Sequence, residues 1–407
     1  MQRIIIAPKI TFGKSPHMNI PKIPLLSLSL LLLTACSTKK VTPPVDTNST
    51  NTLTTLIQTQ TPLQPQPQTQ TQEINQIEAE IEPTPVADLG LGGDFSNNNK
   101  LIEFINYMNN YHQFELSELN KLFSGAKDIN QIVEPCKVRD KKGNCLVTIR
   151  RGKWDRYRAM FVYERNINRG VAFWEEHEDT LNQAYETYGV PPEYIVGIIG
   201  IETAYGVNFG KKKVIDVLTS KAMLGDRREK FYTKQLEKFL IMTRQANLNA
   251  SELMGSNAGA MGYGQFIASS YLNFAVDFNN DGVTDLWDAQ DAIGSVANYF
   301  AQNGWNGNIS QVAVRAKYKG NRFRRFKTGY KTKFSQSKLR RKHNIVPRSK
   351  LYYKGPVSLI KLPKASYDEL WFGTHNFRVI TTYNHSTFYG MAVHDLGQAV
   401  KRRKFGQ

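Results

Sequence analysis

The feature that most limits how this chain can fold is an apolar segment, residues 190–201, that ends at a glutamate, Glu202. Its length and the Pro191-Pro192 pair at its start predict a helix that is buried on most sides. Burial disfavours the charged form of a carboxyl group, so the pKa of Glu202 should be raised. A carboxyl group that stays protonated near neutral pH can serve as a general acid, as in glycosidases.

The chain is strongly basic, with 53 Lys and Arg against 35 Asp and Glu and a formal net charge of +18 over 407 residues. Much of the excess lies in residues 317–350, where Tyr and Phe are interleaved with the basic residues. This pattern favours a polyanionic neighbour, and the alternative is a basic face that only contacts solvent. No signature of a nucleic-acid-binding module accompanies the segment, so we expect no nucleic-acid partner.

The N-terminal region resembles a bacterial lipoprotein leader. Met18 is the better start, because residues 18–22 are mildly basic and residues 23–33 form an apolar stretch too short to span a membrane. Small residues and then Cys36 follow, as in a lipoprotein cleavage box. The resemblance implies a signal peptide over residues 1–35 and a lipid on Cys36, and Ser37 favours the periplasmic face of the outer membrane. The alternative is a conventional signal peptide followed by a chance cysteine.

Residues 36–94 are predicted to be a lipidated cysteine followed by a disordered tether. The segment is rich in Thr, Gln, Pro, Asn and Ser, and it has too few large apolar residues to offset the entropy of ordering. A coil of this length spans roughly 45 Å. Further along, Cys136 and Cys145 would close a short loop, and an oxidising compartment favours a disulfide between them over two free thiols.

Helical periodicity dominates the rest of the chain. Residues 95–189 are predicted to form a helical domain that carries the insertion with the two cysteines, and residues 190–305 a core that contains Glu202. Short β-like runs and Lys/Arg clusters fill residues 306–373, and residues 374–407 return to the core. The expected fold class is α+β, mainly α, with a small β-containing subdomain.

Residues 277–288 match the spacing of an EF-hand calcium loop. Oxygen-bearing side chains stand at positions 1, 3, 5, 9 and 12, and a glycine at position 6 allows the sharp turn. The predicted ligands are Asp277, Asn279, Asp281, Val283 through its carbonyl, Asp285 and Asp288. Position 12 is the shorter Asp rather than Glu, and the alternative is an Asx-rich turn that binds nothing. A single loop predicts one structural Ca²⁺.

A glycine-rich stretch, residues 255–266, lies between Glu202 and this loop. Its glycines predict a tight hairpin whose backbone can approach a ligand closely. Four motifs follow one another along the chain: Glu202, the sequence Gly-Ala-Met-Gly-Tyr-Gly-Gln-Phe, the EF-hand-like loop and the segment that starts at Asp291. Their order resembles that of the B-type membrane-bound lytic murein transglycosylases. The resemblance covers about residues 98–400 and implies a goose-type-lysozyme-like core.

The resemblance implies cleavage of the β-1,4 bond between N-acetylmuramic acid and N-acetylglucosamine in peptidoglycan, with formation of a 1,6-anhydro end. Glu202 would act first as acid and then as base. Most glycosidases need two carboxylates, yet no second acid stands at helical spacing from Glu202. A reaction that uses the substrate's own 6-hydroxyl needs only one. The alternatives are a hydrolytic muramidase and a non-catalytic peptidoglycan-binding lipoprotein.

Further site residues carry over from the family by motif. The candidate substrate-binding residues are Ser256, Gln265, Tyr299, Tyr383, Asn384, Tyr389, Arg227, Arg228 and Tyr205. The arginines would meet muramyl or peptide carboxylates, and their alternative role is an ordinary solvated or ion-paired one. For the tyrosines the alternative is core packing. We expect no cofactor for the chemistry, a monomer, and two partners, which are peptidoglycan and, through the lipid anchor, the membrane.

Overall fold

The structure is a computed structural model that describes residues 90–130, 154–225 and 227–406. Several sequence-based predictions lie outside these ranges. They are the signal peptide, the lipidated Cys36, the tether up to residue 89 and the Cys136–Cys145 disulfide, and all of them stay predictions. No helix within the described ranges is long and apolar enough to cross a membrane.

The fold is mainly α-helical with small sheets, which confirms the predicted fold class. The helices are α1 (Asn99–His112), α2 (Leu116–Gly125), α3 (Trp154–Ala159), α4 (Glu164–Glu176), α5 (Glu178–Tyr188), α6 (Pro192–Glu202), α7 (Val214–Met223), α8 (Glu229–Gln245), α9 (Ala268–Phe274), α10 (Ala289–Gln302), α11 (Gln336–His343), α12 (His375–Tyr383) and α13 (Thr387–Phe405). Two 3₁₀ helices, Gly93–Phe95 and Arg322–Arg325, complete the helical elements of the described ranges.

The strands of the described ranges form two antiparallel sheets. Strands β1 (Lys212–Lys213) and β2 (Met254–Gly255) pair with each other. Strands β3 (Ala313–Lys317), β4 (Val346–Pro347), β5 (Ser358–Pro363) and β6 (Asp368–Gly373) form a sheet with the order β4-β3-β6-β5. This second sheet packs with α11 around its own apolar core, which includes Phe323, Leu339 and Phe372. It lies within the predicted basic insertion, whose boundaries stay a prediction.

Helix α6 lies at the centre of the main core, and it is buried from Glu193 to Ile201. It packs antiparallel against α13 at very short range. A Cβ added to Gly397 would lie 2.0 Å from the carbonyl oxygen of Glu193, and one added to Gly197 would lie 2.8 Å from that of Val393. Because both contacts require glycine, the two helices come close enough to bring the C-terminal end of α6 beside the first turn of α13.

Two elements differ from what the sequence pattern predicts. The sequence pattern predicts one helix over residues 171–188. The structure instead interrupts it at His177, whose backbone (φ −116°, ψ 30°) ends α4 and begins α5. The ring of Phe173 packs against the His177 ring with centroids 4.6 Å apart, so side-chain packing accompanies the break. For the segment that carries Tyr383 and Asn384 the sequence predicts a strand or loop, and Tyr383 is instead the last residue of α12.

Candidate active site

Glu202 is the last residue of α6, and its carboxyl group is only partly exposed at the edge of the core. The Tyr389 hydroxyl, in the first turn of α13, donates a hydrogen bond to its Oε1 at 2.5 Å. Burial raises the pKa of Glu202 to about 7, against the smaller lowering effect of the Tyr389 hydrogen bond. The carboxyl group can therefore both give and take a proton near neutral pH.

An aromatic cluster surrounds this carboxyl group. The rings of Tyr383 and Tyr389 stack with planes 10° apart, and Tyr299 meets Tyr383 edge-on with centroids 4.8 Å apart. The Tyr383 hydroxyl donates to the carbonyl oxygen of Gly264 at 2.5 Å. Burial, and then the charge of Glu202, raises the pKa of Tyr383 and of Tyr389, so both hydroxyl groups stay protonated. The cluster fixes the position of the carboxyl group without adding a charge.

The glycine-rich stretch forms a compact turn beside this cluster. The Ser256 hydroxyl oxygen accepts the backbone N–H of Ala260 at 3.1 Å, which leaves its own hydrogen able to donate to a ligand. Gln265 has a left-handed backbone (φ +51°), and its amide nitrogen donates to the carbonyl oxygen of Phe209 at 3.2 Å. These contacts hold both side chains on the turn, and their contacts to a substrate stay predictions.

Thr203 is a positioning residue that the sequence reasoning missed. Its hydroxyl lies 3.1 Å from the carbonyl oxygens of both Ile199 and Tyr263, and it accepts the N–H of Gly206 at 3.1 Å. The residue is 1% exposed. It therefore joins the end of α6 to the glycine-rich turn directly after Glu202. A polar residue at the end of an apolar helix was the available sequence signal.

Tyr157 on α3 was missed as well. The charge of Glu202 is the second cause, after burial, that raises the pKa of Tyr157, so the two groups lie close enough to interact. The Tyr157 ring contacts Phe388, which neighbours Tyr389 in α13, with centroids 5.6 Å apart. Since Tyr157 lies far from the other site residues in the sequence, no local pattern could have identified it.

The loop over residues 277–288 turns at Gly282, whose backbone is left-handed (φ +89°). The N–H of Asp281 lies within hydrogen-bonding distance of side-chain oxygens of both Asp277 (3.2 Å) and Asn279 (3.0 Å). Those oxygens therefore converge on one side of the turn. Asp288, the predicted ligand at position 12, caps α10 by accepting the N–H of Gln290 at 2.7 Å. Among the described residues no three Asp, Glu, His or Cys side chains come together as a metal-binding group.

Asp291 holds this loop in place by hydrogen bonds, a role that the sequence did not predict. Its carboxylate is fully buried, and it accepts the N–H groups of Phe278 (2.7 Å) and Asp285 (2.7 Å). Two distant points of the loop are thus tied to the first turn of α10. Hydrogen bonds within the protein therefore hold the loop in place.

The chain matches the transglycosylase SLT domain family over residues 96–398, which is most of its length. It belongs to this family. It is 42% identical over 317 residues to membrane-bound lytic murein transglycosylase B of Escherichia coli (strain K12), an alignment that covers 76% of this chain and 85% of that protein. The match confirms the family predicted from the sequence.

Solved structures agree with this assignment. The Escherichia coli lytic transglycosylase SLT35, solved in complex with bulgecin A and also in complex with calcium, superposes with a TM-score of 0.71 at 41% identity, covering 80% of this chain and 100% of that one. SltB3 from Pseudomonas aeruginosa, in complex with NAG-anhNAM-pentapeptide, gives a TM-score of 0.62 at 25% identity, covering 74% of this chain and 78% of that one. The fold is therefore that of the lytic transglycosylases.

The remaining predicted site residues of this transglycosylase are Tyr205, Asn384, Arg227 and Arg228. The Tyr205 hydroxyl is buried against Gly170 and Gly200 and has no hydrogen-bond partner among the described residues. Asn384 is exposed just after α12. Arg227 and Arg228 are exposed before α8, and the Arg228 guanidinium lies 3.8 Å from the centre of the Phe231 ring. Their substrate contacts stay predictions.

Proposed function

We propose that this transglycosylase cleaves the β-1,4 bond between N-acetylmuramic acid and N-acetylglucosamine in peptidoglycan, with Glu202 as its single catalytic carboxyl group. The observation that carries the proposal is the pKa of Glu202, raised by burial to about 7. No second acid stands at helical spacing from Glu202 in the sequence, whereas most glycosidases use a pair of carboxylates. A single carboxyl group suffices when the substrate supplies the nucleophile.

The proposed reaction has two proton transfers through one residue. Protonated Glu202 gives its proton to the glycosidic oxygen as the bond from muramyl C1 to that oxygen breaks, and N-acetylglucosamine leaves with a free 4-hydroxyl. The substrate's N-acetyl group stabilises the positive charge at C1. The muramyl 6-hydroxyl oxygen then bonds to C1, and its proton returns to the Glu202 carboxylate. No water is consumed and Glu202 ends as it began.

The surrounding residues would position the sugar and exclude water. Tyr389 holds the Glu202 carboxyl group in one orientation, and Tyr383 and Tyr299 pack beside it in the aromatic cluster. Ser256 and Gln265 would hydrogen-bond the sugar from the glycine-rich turn. The complex of a relative with NAG-anhNAM-pentapeptide supports a peptide-bearing, anhydro-ended ligand for this site.

The mass of the products tests this proposal against both alternatives. We expect purified protein to release muropeptides whose muramyl ends are lighter by one water than hydrolysed ends, because the 6-hydroxyl replaces water. Mass spectrometry of digests of purified peptidoglycan measures this. Hydrated reducing ends would show a hydrolytic muramidase, and binding without any release would show a non-catalytic lipoprotein.

We also propose that the chain is a monomer anchored through Cys36 at the periplasmic face of the outer membrane. The lipoprotein-like leader supports this placement, and the relative in Escherichia coli is named membrane-bound. A multi-chain lipid anchor gives stable attachment.

One structural Ca²⁺ is proposed for the loop over residues 277–288, held by Asp277, Asn279, Asp281, the carbonyl of Val283, Asp285 and Asp288. The converging oxygens of Asp277 and Asn279 and the calcium complex of a relative support it. Asp288 would have to bind the ion while it also caps α10. The ion would stabilise the loop and take no part in the chemistry.

Removal of calcium should lower the melting temperature by roughly 5–10 °C, because an ion bound only by the folded state stabilises it by mass action. Calorimetry with EDTA, and then with excess Ca²⁺, measures the effect. Asp277→Asn combined with Asp281→Asn should remove the response to EDTA. Equal melting temperatures with EDTA and with Ca²⁺ would leave the loop as an Asx-rich turn that binds nothing.

A further inference from the structure

The positive charge of this protein is concentrated in one part of its surface. Residues 292–367 contain 18 Lys and Arg and no Asp or Glu, and the formal net charge of the whole chain is +18. The exposed Lys and Arg side chains of residues 317–350, here called the basic patch, make up most of this set. The patch therefore accounts for most of the excess charge of the molecule.

The basic patch is displayed on a folded surface. Phe323, between its arginines on the 3₁₀ helix, and Leu339, within α11, are both buried in the second apolar core. Arg315, Lys317, Lys319 and Arg348 line a groove of about 500 Å³. The folded backbone thus fixes the positions of the charges, which a binding surface requires. A flexible basic tail would not fix them.

The charges of the patch are not neutralised within the described part of the chain. The ion pairs near the patch involve residues outside it. Arg315 pairs with Glu369 at 2.9 Å, and Lys364 pairs with Asp155. Within residues 317–350 no described side chain forms an ion pair. Mutual repulsion of so many like charges lowers stability unless an external anion is bound, so the arrangement favours an anionic partner.

The patch adjoins the edge of the candidate active site. The N–H of Tyr330 donates to the Thr387 hydroxyl at 3.2 Å, and the Tyr330 ring stacks on His385 with centroids 6.4 Å apart. Thr387 begins α13, two residues before Tyr389. The patch and the candidate active site therefore meet at the start of α13.

We infer that the basic patch binds the carboxylates of the peptide stems on the glycan strand that occupies the active site. This inference rests on the proposed function. Peptide carboxylates recur along the strand, and Arg and Lys bind such groups by charge-assisted hydrogen bonds. An anionic membrane fits less well, because no large apolar side chain between residues 317 and 350 is exposed for insertion.

Neutralising four patch residues tests the inference in the full-length protein. The variant carries Lys319→Gln, Arg322→Gln, Arg325→Gln and Lys333→Gln. A matched control removes the same charge from exposed positions on other helices, by Lys121→Gln, Arg165→Gln, Lys234→Gln and Arg402→Gln. Sedimentation with sacculi at low salt measures binding, and carbodiimide amidation of the stem carboxylates removes the expected ligand.

We expect the patch variant to bind sacculi roughly tenfold more weakly than the control variant, and amidated sacculi to abolish that difference. In the patch variant the rate of sacculus cleavage, divided by the rate of cleavage of a peptide-free oligosaccharide, should also fall. Equal binding by the two variants would overturn the inference, as would a difference that survives amidation. A loss confined to vesicles with phosphatidylglycerol would assign the patch to the membrane instead. Formation of anhydro ends by the unmodified protein tests the proposed function separately.

Discussion

Glu202→Gln should abolish muropeptide release from sacculi while sacculus binding persists. The amide cannot donate a proton to the leaving oxygen or take one from the 6-hydroxyl, so both proton transfers are lost. General acid–base catalysis contributes about 10²–10⁴-fold to a rate, and this residue would supply both steps. The amide oxygen can still accept the Tyr389 hydroxyl, so the local structure should be retained.

The measurement is the rate of anhydro-muropeptide release, quantified by mass spectrometry, alongside sedimentation with sacculi. Glu186→Gln on the exposed surface of α5 makes the same change of charge away from the site and should release products normally. Release by the Glu202→Gln protein at the unmodified rate would remove Glu202 from the mechanism. Joint loss of binding and release would indicate a folding defect, which circular dichroism would detect.

The sequence predicts the burial and the raised pKa of Glu202, because the signal for both is local. A carboxylate at the end of an apolar helix is visible in a short window, and burial alone raises its pKa. The role of Tyr389 depends on how α6 packs against α13, and the two residues of the hydrogen bond are 187 positions apart. Family resemblance could name Tyr389 as a site residue, but only the packed helices show which atom it contacts.

The same contrast holds in the EF-hand-like loop. The spacing of its oxygen-bearing residues and the left-handed Gly282 follow from the sequence, since they depend on a single turn. The cap made by Asp288 and the buried Asp291 depend on the helix that follows. The role of Thr203 also depends on tertiary packing, because its partner Tyr263 lies in a separate turn.

The raised pKa of Glu202 makes activity and stability depend on pH. The group donates its proton as an acid, so activity should fall as the pH rises through about 7. Because the Tyr389 hydrogen bond lowers that pKa, Tyr389→Phe should move the alkaline limb of the rate profile to higher pH. Initial rates between pH 5 and 9 measure both effects, and an alkaline limb that does not move in Tyr389→Phe would contradict this assignment.

Glu202→Gln should also stabilise the fold, and increasingly so at high pH. The pKa is about 7 in the folded state against an ordinary 4.5, so the folded state binds the proton more tightly than the unfolded state does. The favourable contribution is complete below pH 4.5 and is lost as the pH rises through 7. Between pH 4 and pH 8 the free energy of unfolding of the Gln variant, relative to the unmodified protein, should therefore rise by about 3 kcal/mol.

Urea denaturation at the two pH values measures this difference, and Glu186→Gln provides the control. A relative stability that does not change with pH would mean that Glu202 ionises as an ordinary surface carboxyl group. It would then be largely ionised at neutral pH, and a residue in that state could not act as the proton donor of the proposed reaction.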